Sequence, residues 1–316
     1  MEARSLTQTP QPIEPRTVQI GDVILGGYHG EYPTVLILSM FHRGDRLVTN
    51  SIRGTFDSKR AQRYLNRAMK LTETTGTPLI LDVLAETPEA MTNYLTFLAK
   101  SAPSLPFLVD SSSQEARLAG VATAVDTGRT QLAIYDAISH HTTSEELKAL
   151  KAAKIEAAII LAHNPVDIRP QGRLEALKGT DEEEGLLAKA ETAQISKILI
   201  DTVALDLAGL SIAATAMQFV KNELGLPVGA GSANSVALWR HASEISPAAK
   251  RYLAPALCTY LQCHGADFIL AGPLRRAPRF FAATSATDAL LAYTSPDGAY
   301  PAPTPKIRTH PRYKVL

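Results

Sequence analysis

Carboxylates and amides recur in this chain at one kind of place, directly after a short apolar run. One run closes as Leu81-Asp82-Val-Leu-Ala-Glu86, the next as Val109-Asp110-Ser-Ser, and the next as Tyr135-Asp136. Further on come Ala162-His163-Asn164, Ile200-Asp201-Thr, and Gly229-Ala-Gly-Ser-Ala-Asn234, which contains Ser232. A single Asp after a strand is an ordinary turn or N-cap residue. Six consecutive strands delivering an acid or amide to one rim exceed what capping requires, although capping accounts well for some of them, Asp82 and Glu86 first. Such a rim is rich in acceptors and poor in cations. It suits a ligand with several N–H donors in bidentate array. An aminopyrimidinone ring has that pattern; a sugar or a polyamine is also compatible.

Other chemistries fit less well. A Schiff-base aldolase needs a Lys at a strand end, and none is there. A barrel metallohydrolase needs a His pair after the first strand, where only His42 stands, so no metal is expected. His163 and the pair His140-His141 lack metal-ligand spacing and read as loop residues. Gly229, Gly231 and Gly272 permit a phosphate site after the last two strands, but are equally ordinary turn glycines. The acidic run Asp181–Glu184 reads as the first turn of a helix, where negative charge suits the dipole. Cys258 and Cys263 read as buried and inert.

The elements that position the rim are countable. Buried-strand runs are expected at Thr34–Phe41, Pro78–Leu84, Pro106–Asp110, Gln131–Asp136, Ala157–Ala162, Lys197–Asp201, Pro227–Ala230 and Asp267–Ala271. Their continuous apolarity is that of strands covered on both faces. Helices are expected at Asp57–Thr74, from Thr87-Pro88-Glu89 onward, and at Ser113–Asp126, Ser144–Ala153, Asp181–Ala193, Leu207–Leu224, Ser235–His264 and Ala277–Tyr293. Strict alternation implies parallel strands with right-handed crossovers. Eight units over about 260 residues match a single α/β (β/α)8 TIM barrel, with the site at the C-terminal strand ends. A doubly wound sheet would put a Gly-rich turn after its first strand, where this chain has Met40-Phe-His-Arg43. A hairpin turning at Gly21-Asp22 precedes the barrel. The expected division is an arm over 1–17, the barrel over 18–294, and a Pro-rich extended tail over 295–316.

Composition sets the outer limits. The 316 residues are 45% hydrophobic and 20% charged, with 32 Lys and Arg against 31 Asp and Glu, a net charge of +1. That balance disfavours nucleic acid or an anionic membrane as a partner. No run reaches the ~18 apolar residues of a membrane span. Two cysteines make no disulfide framework, and Met1–Pro15 lacks an apolar leader, so a reduced cytoplasmic setting is expected.

Several stretches carry a family resemblance. Gly30-Glu-Tyr-Pro-Thr-Val-Leu-Ile37, Glu86-Thr-Pro-Glu-Ala-Met91, Phe107-Leu-Val-Asp-Ser111, Gly225-Leu-Pro-Val-Gly229, Ala266-Asp-Phe-Ile-Leu-Ala-Gly-Pro273 and Ala286-Thr-Asp-Ala-Leu-Leu-Ala-Tyr293 resemble the H-subunit family of tetrahydromethanopterin S-methyltransferase. The resemblance runs over about residues 18 to 295. The bacterial branch of that family consists of methylcorrinoid:tetrahydrofolate methyltransferases. The resemblance implies methyl transfer from a corrinoid (cobalamin), free or on a partner protein, to N5 of tetrahydrofolate. It also implies a homodimer.

By the same resemblance Asp110, Asp136, Asp201 and Ser232 would bind the pterin and Asn234 would sit near N5, while Asn164 joins the pterin-binding set from its place at a strand end. Asp82, Glu86, Arg275 and Arg276 are the remaining rim candidates. Arg275 and Arg276, with Arg279, make this stretch more basic than in the family; they read as a contact for the folate glutamate tail, as a contact for the corrinoid protein, or as a solvated surface patch. Two positions depart from the family pattern. Tyr135-Asp136-Ala137 stands where Tyr-Asn-Ser is usual, which keeps an acceptor and loses an amide donor. Gly44-Asp45 stands where Gly-His is common. The alternatives are another pterin-barrel reaction, such as dihydropteroate synthesis, and a non-catalytic structural component of a methyltransferase complex.

Overall fold

The computed structural model describes residues 13–237, 244, 246–293 and 305–315. It begins with a hairpin, β1 (Thr17–Ile20) and β2 (Val23–Gly26), that turns at Gly21-Asp22 as expected. Then comes β3 (Val35–Met40), the first barrel strand. A second small hairpin, β4 (Val48–Asn50) with β5 (Thr55–Phe56), occupies the loop after β3; its strands are too short to stand out in the sequence. The other barrel strands are β6 (Leu79–Leu84), β7 (Phe107–Asp110), β8 (Ala133–Ile138), β9 (Ala157–Leu161), β10 (Lys197–Asp201), β11 (Val228–Gly231) and β12 (Phe268–Pro273). All pair in parallel, and β12 closes on β3, so the sheet is a closed eight-stranded barrel. The eight strand positions read from apolar runs are therefore found, with ends moved by one or two residues.

Helices fill the crossovers. They are α1 (Ser58–Thr75), α2 (Pro88–Ser101), α3 (Gln114–Asp126), α4 (Ser144–Ala152), α5 (Pro170–Lys178), α6 (Leu186–Thr192), α7 (Leu207–Leu224), α8 (Ala233–Ala237), α9 (Pro247–Cys263) and α10 (Ala277–Leu291). Their starts follow local chemistry. Asp57, Thr87, Ser113, Thr143 and Asp206 each accept a hydrogen bond from a first-turn backbone N–H, and Pro88 occupies the first turn of α2. Gly76 and Gly225 end α1 and α7 in the left-handed conformation that glycine adopts without strain.

Three expectations need correction. The acidic run does not open a helix. Pro170 starts α5 well before it, Gly179 ends α5, and residues 181–184 form a loop closed by a bridge between Gly179 and Glu184. Only then does α6 begin, from Gly185. The single long helix expected before the last strand is instead α8 and α9. Pro247 restarts the helix, and 238–243 and 245 lie outside the described residues. In the tail, Pro311–Val315 form a short helix, α11, where an extended path was expected; residues 295–304 lie outside the described ones. Arg312 fastens α11 by donating from Nη1 to the Ala292 carbonyl at 2.8 Å.

Two apolar layers hold the barrel. Outward-facing strand residues such as Leu36, Leu38, Leu81, Val83, Tyr135 and Ile160 pack against the helices. Inward-facing residues form a separate cluster of Val35, Ile37, Ile80, Leu108, Ile134, Ile159, Leu199 and Phe268. Val18, Ile20, Val23 and Leu25 of the first hairpin join this inner cluster and floor the barrel at the N-terminal strand ends. Burying that apolar area contributes about 25 cal/mol per Å2. The inner faces are thus apolar below and, one step up each strand, turn to carboxylates.

Candidate functional site

The carboxylates sit where the inner face reaches the mouth. Asp110 and Asp136 are direct register partners on β7 and β8. Asp82 is level with Leu108, one inward-facing step deeper than Asp110, and pairs with Ser39 across the β3–β6 ladder. Asp201 ends β10 beside Leu161 and Gly229. Oxygens of Asp82, Asp110 and Asp136 lie within 4.8 Å of one another. Among the described residues this is the one acidic or His/Cys group close enough to share a cation.

A cavity of 420 Å3 opens above them. Asp82, Asp110, Asp201, Ser39 and His42 line it, with Leu84, Val203, Leu205, Leu270, Gly231 and Gly272 as apolar walls. A Cβ on Gly231 would meet nothing within 4 Å and would take up cavity space, whereas Gly272 is called for by its φ of +114°. Asp201 Oδ1 accepts the Val203 N–H at 2.7 Å, which orients its carboxylate and holds Val203 at φ +51°. One oxygen of Asp82, Oδ1, is buried without a hydrogen-bond partner.

The electrostatics are unusual for acids. Burial, then the neighbouring charges of Asp110 and Asp136, holds the Asp82 carboxyl well above the normal range. Burial, then Asp110 and Asp201, does the same to Asp136. Burial pushes Asp110 and Asp201 up to about 6. None of the four forms an ion pair among the described residues.

The nearest cations are held by other acceptors. Arg117 of α3 donates to the Ser111 carbonyl at 2.6 Å, to Tyr135 Oη at 2.9 Å, and to the fully buried Glu146, which also accepts from Tyr135 Oη. Arg173 of α5 donates to the carbonyls of Ile168, Ala162 and Val203. These two arginines brace the wall from behind. Their only sequence signal is weak: each is an Arg in the helix that follows a strand ending in an acid or amide.

Other expected residues lie elsewhere. Asn164 is outside the central cavity. Its Oδ1 accepts the backbone N–H groups of Val166 and Asp167, and its Nδ2 donates to the Gly172 carbonyl, so the amide shapes its own loop. It lines a second cavity of 520 Å3 with His140, His141 and His163. Ser232 is fully buried and turned toward Cys258, 3.5 Å away, while its backbone N–H joins Leu270. Glu86 is half-exposed on the outer rim, accepting from Ser51 at 2.8 Å. Arg275 follows β12 with Nε buried and unpartnered, and Arg276 lines a small cleft with Arg251 and Arg279. Asn234 is the second residue of α8; its side chain lies outside the described residues. Neither His140, His141 nor His163 enters a metal-ligand group. Of the cysteines, Cys258 is buried as expected, whereas Cys263 is exposed.

His42 has no partner histidine in the sequence and no metal-ligand spacing. The structure nonetheless places it on the cavity wall, 3.7 Å from Asp45, with burial lowering its basicity. Spacing alone does not reveal it, since the loop after β3 folds back on itself through Asp45, which accepts the N–H groups of Phe41 and Leu47.

Comparison with known proteins places this geometry in context. The chain has the fold of dihydropteroate synthases: that of Xanthomonas albilineans, solved with 4-aminobenzoic acid, aligns with a TM-score of 0.59 at 18% identity over 89% of this chain and 99% of that one. The Yersinia pestis dihydropteroate synthase aligns with a TM-score of 0.57 at 14% identity, over 87% and 98%. In sequence, the MtrH subunit of tetrahydromethanopterin S-methyltransferase from Methanosarcina acetivorans is 34% identical, over 88% of this chain and 90% of that protein. The corresponding protein from Methanothermobacter marburgensis is 32% identical, over 95% and 97%. The family described as the tetrahydromethanopterin S-methyltransferase MtrH subunit matches residues 14–299. The chain is therefore a member of the MtrH family of tetrahydromethanopterin S-methyltransferase subunits.

Proposed function

We propose that this chain is a methyltransferase that moves a methyl group from a methylated corrinoid, carried by a partner protein or free, to N5 of tetrahydrofolate. The observation that carries the reading is the cavity lined by Asp82, Asp110 and Asp201, with Asp136 beside Asp110, and with no ion-pair partner for any of the four among the described residues. Buried carboxyls without cations need a ligand that brings N–H donors. The amino group and ring N–H of a pterin supply them, and the cavity volume suits a bicyclic ring. Asp110, Asp136 and Asp201 hold the ring edge in this reading. Asn234, at the start of α8, stands beside N5. Asn164 and Ser232 contribute by setting loop and backbone positions around the ring.

The corrinoid, when bound, supplies a methyl group that departs without its bonding electron pair. The N5 lone pair forms the new N–C bond, and the N5 proton leaves to water. No protein nucleophile is required. The chain's own work is to bind the pterin, orient N5 toward the mouth, and exclude competing groups; such positioning is worth about 7–11 kcal/mol. Donors and acceptors fixed around N5 stabilise its changing charge. Arg275, Arg276 and Arg279, beyond the mouth, meet the glutamate tail or the corrinoid protein. A cytoplasmic homodimer completes the proposal.

The test is methyl transfer from methylcobalamin, or a methylated corrinoid protein, to tetrahydrofolate, with tetrahydromethanopterin as comparison acceptor. Transfer to tetrahydrofolate supports the full reading. Transfer to tetrahydromethanopterin alone reassigns the acceptor, and transfer to neither sinks the enzyme reading. Full turnover in an Asp201→Ala variant would remove Asp201 from the pterin site.

A further inference from the structure

The Asp82–Asp110–Asp136 cluster has more negative charge than its surroundings balance. Three carboxylates share a space in which their oxygens lie within 4.8 Å. Asp201 faces Asp136 from β10, and His42 adds an imidazole to the same wall. The charges that oppose this crowding are Arg117, behind Asp110 and Asp136, and Arg173, behind Asp201. Arg117 is itself bonded to Glu146 and Tyr135, and Arg173 to three carbonyls. Asp82 is the deepest of the three, 7% exposed, and its Oδ1 meets no donor.

Like charges at this spacing repel strongly even at a high effective dielectric. Carboxyls so placed share protons rather than ionise together. A protonated carboxyl is a donor. The pocket then offers an O–H as well as acceptors, which matters for a pterin, whose edge carries a carbonyl and bare ring nitrogens beside its N–H groups.

We propose that the Asp82–Asp110–Asp136 cluster binds the pterin while holding one proton, so that one carboxyl meets the ring as a hydrogen-bond donor, with Asp82 as the positioning residue that keeps the proton there. This rests on the pterin reading for its ligand, but not for its proton. The proton belongs to the free protein and is present before anything binds. Asp110 lines the cavity, beside Asp136 and one inward step above Asp82, so it is the carboxyl that presents the O–H to the ring. Asp82 acts from beneath, through its charge and through an oxygen that has no other partner.

Infrared spectroscopy of the free, full-length protein reads the proton directly, as the C=O stretch of a neutral carboxyl that disappears on deprotonation. The band is expected to persist at neutral pH and to disappear only as pH rises further. In Asp82→Asn it is expected to be lost, or to titrate away roughly 1–2 pH units lower. A second measurement uses tetrahydrofolate binding. Wild-type affinity should fall with the band as pH rises, whereas Asp110→Asn, whose amide donates at every pH, should bind without that fall. Absence of the band at neutral pH, or its indifference to both substitutions, overturns the proposal. So does a stoichiometric divalent cation in the purified protein that Asp82→Asn removes, since a cation would stand in the proton's place. A protein that shows the band yet transfers no methyl group leaves the proton in place and refutes the functional reading alone.

Discussion

Replacing Asp201 by Asn should make the free protein more stable while weakening pterin binding. The Asp201 carboxyl is buried, and its pKa rises from the usual 3.8 to about 6. At about 1.4 kcal/mol per pH unit, its ionised form costs the fold about 3 kcal/mol at pH 7.5 relative to the unfolded chain. The sign follows from linkage. A raised carboxyl pKa favours the proton-bound fold, so the stability contribution is intact below pH 3.8 and is lost as pH climbs through about 6. Asn keeps the Oδ1 that accepts the Val203 N–H and carries no charge. Two corrections act in opposite senses: Arg173 loses an attractive neighbour, and Asp136 loses a repulsive one. A net gain of about 1–3 kcal/mol at pH 7.5 is expected, shrinking to nothing near pH 4. Urea titrations at both pH values, with unchanged denaturant slope, measure it. Tetrahydrofolate affinity should drop about 10–100-fold, the worth of hydrogen bonds to a charged acceptor. A variant equally destabilised at both pH values, or stabilised by the same amount at both, would show that Asp201 ionisation is not what strains the fold.

Three further outcomes are expected. Glu146→Ala leaves Arg117 and Tyr135 without their shared acceptor inside the wall, so unfolding free energy should fall by about 3–5 kcal/mol in urea titrations; a loss under about 1 kcal/mol, the worth of an exposed pair, would mean the network is ornamental. Gly229→Ala would set a Cβ 2.3 Å from the Phe268 carbonyl oxygen, so the thermal midpoint should fall with a stability loss of about 1–3 kcal/mol, and an unchanged midpoint would contradict the packing. Burial pushes the Cys258 thiol up to about 12, so a thiol reagent should label the exposed Cys263 alone in the native protein and both cysteines in denaturant. Labelling of both cysteines at equal rates in the native state would refute the burial.

The barrel is legible in the sequence because each strand ends in its own apolar run and the crossovers are long enough to count. Asp110, Asp136 and Asp201 are legible for a related reason: a strand end in a parallel barrel has one address, the mouth. Asn164 and Ser232 share that address in sequence but not in space. Asn164 turns its amide onto loop backbone, and Ser232 falls on the outward side of the chain between Gly231 and α8. Arg117, Arg173 and His42 are not legible, because their positions depend on helix packing and on a folded loop, neither of which has a local signature. The acidic run misleads for an instructive reason. Asp181–Glu184 satisfy the charge preference of a helix start, yet Gly179 and Gly185 pinch them into a turn so tight that a Cβ on Gly185 would lie 2.3 Å from the Gly179 nitrogen.

The hairpin that floors the barrel closes the interior at its N-terminal end among the described residues, and the mouth stays open. Ile20 and Leu25 are fully buried against the inner cluster, so among the described residues the route for water and protons to the carboxyls is through the mouth. Once a pterin fills that opening, the carboxyls behind it stop exchanging with bulk solvent, while N5 still faces the mouth and its water. The charge inherited at the moment of entry is then the charge carried through the reaction. Acidity of the medium would therefore act on capture and not on the step that follows: kcat/KM should vary with pH while kcat stays level, as expected when the free protein alone titrates.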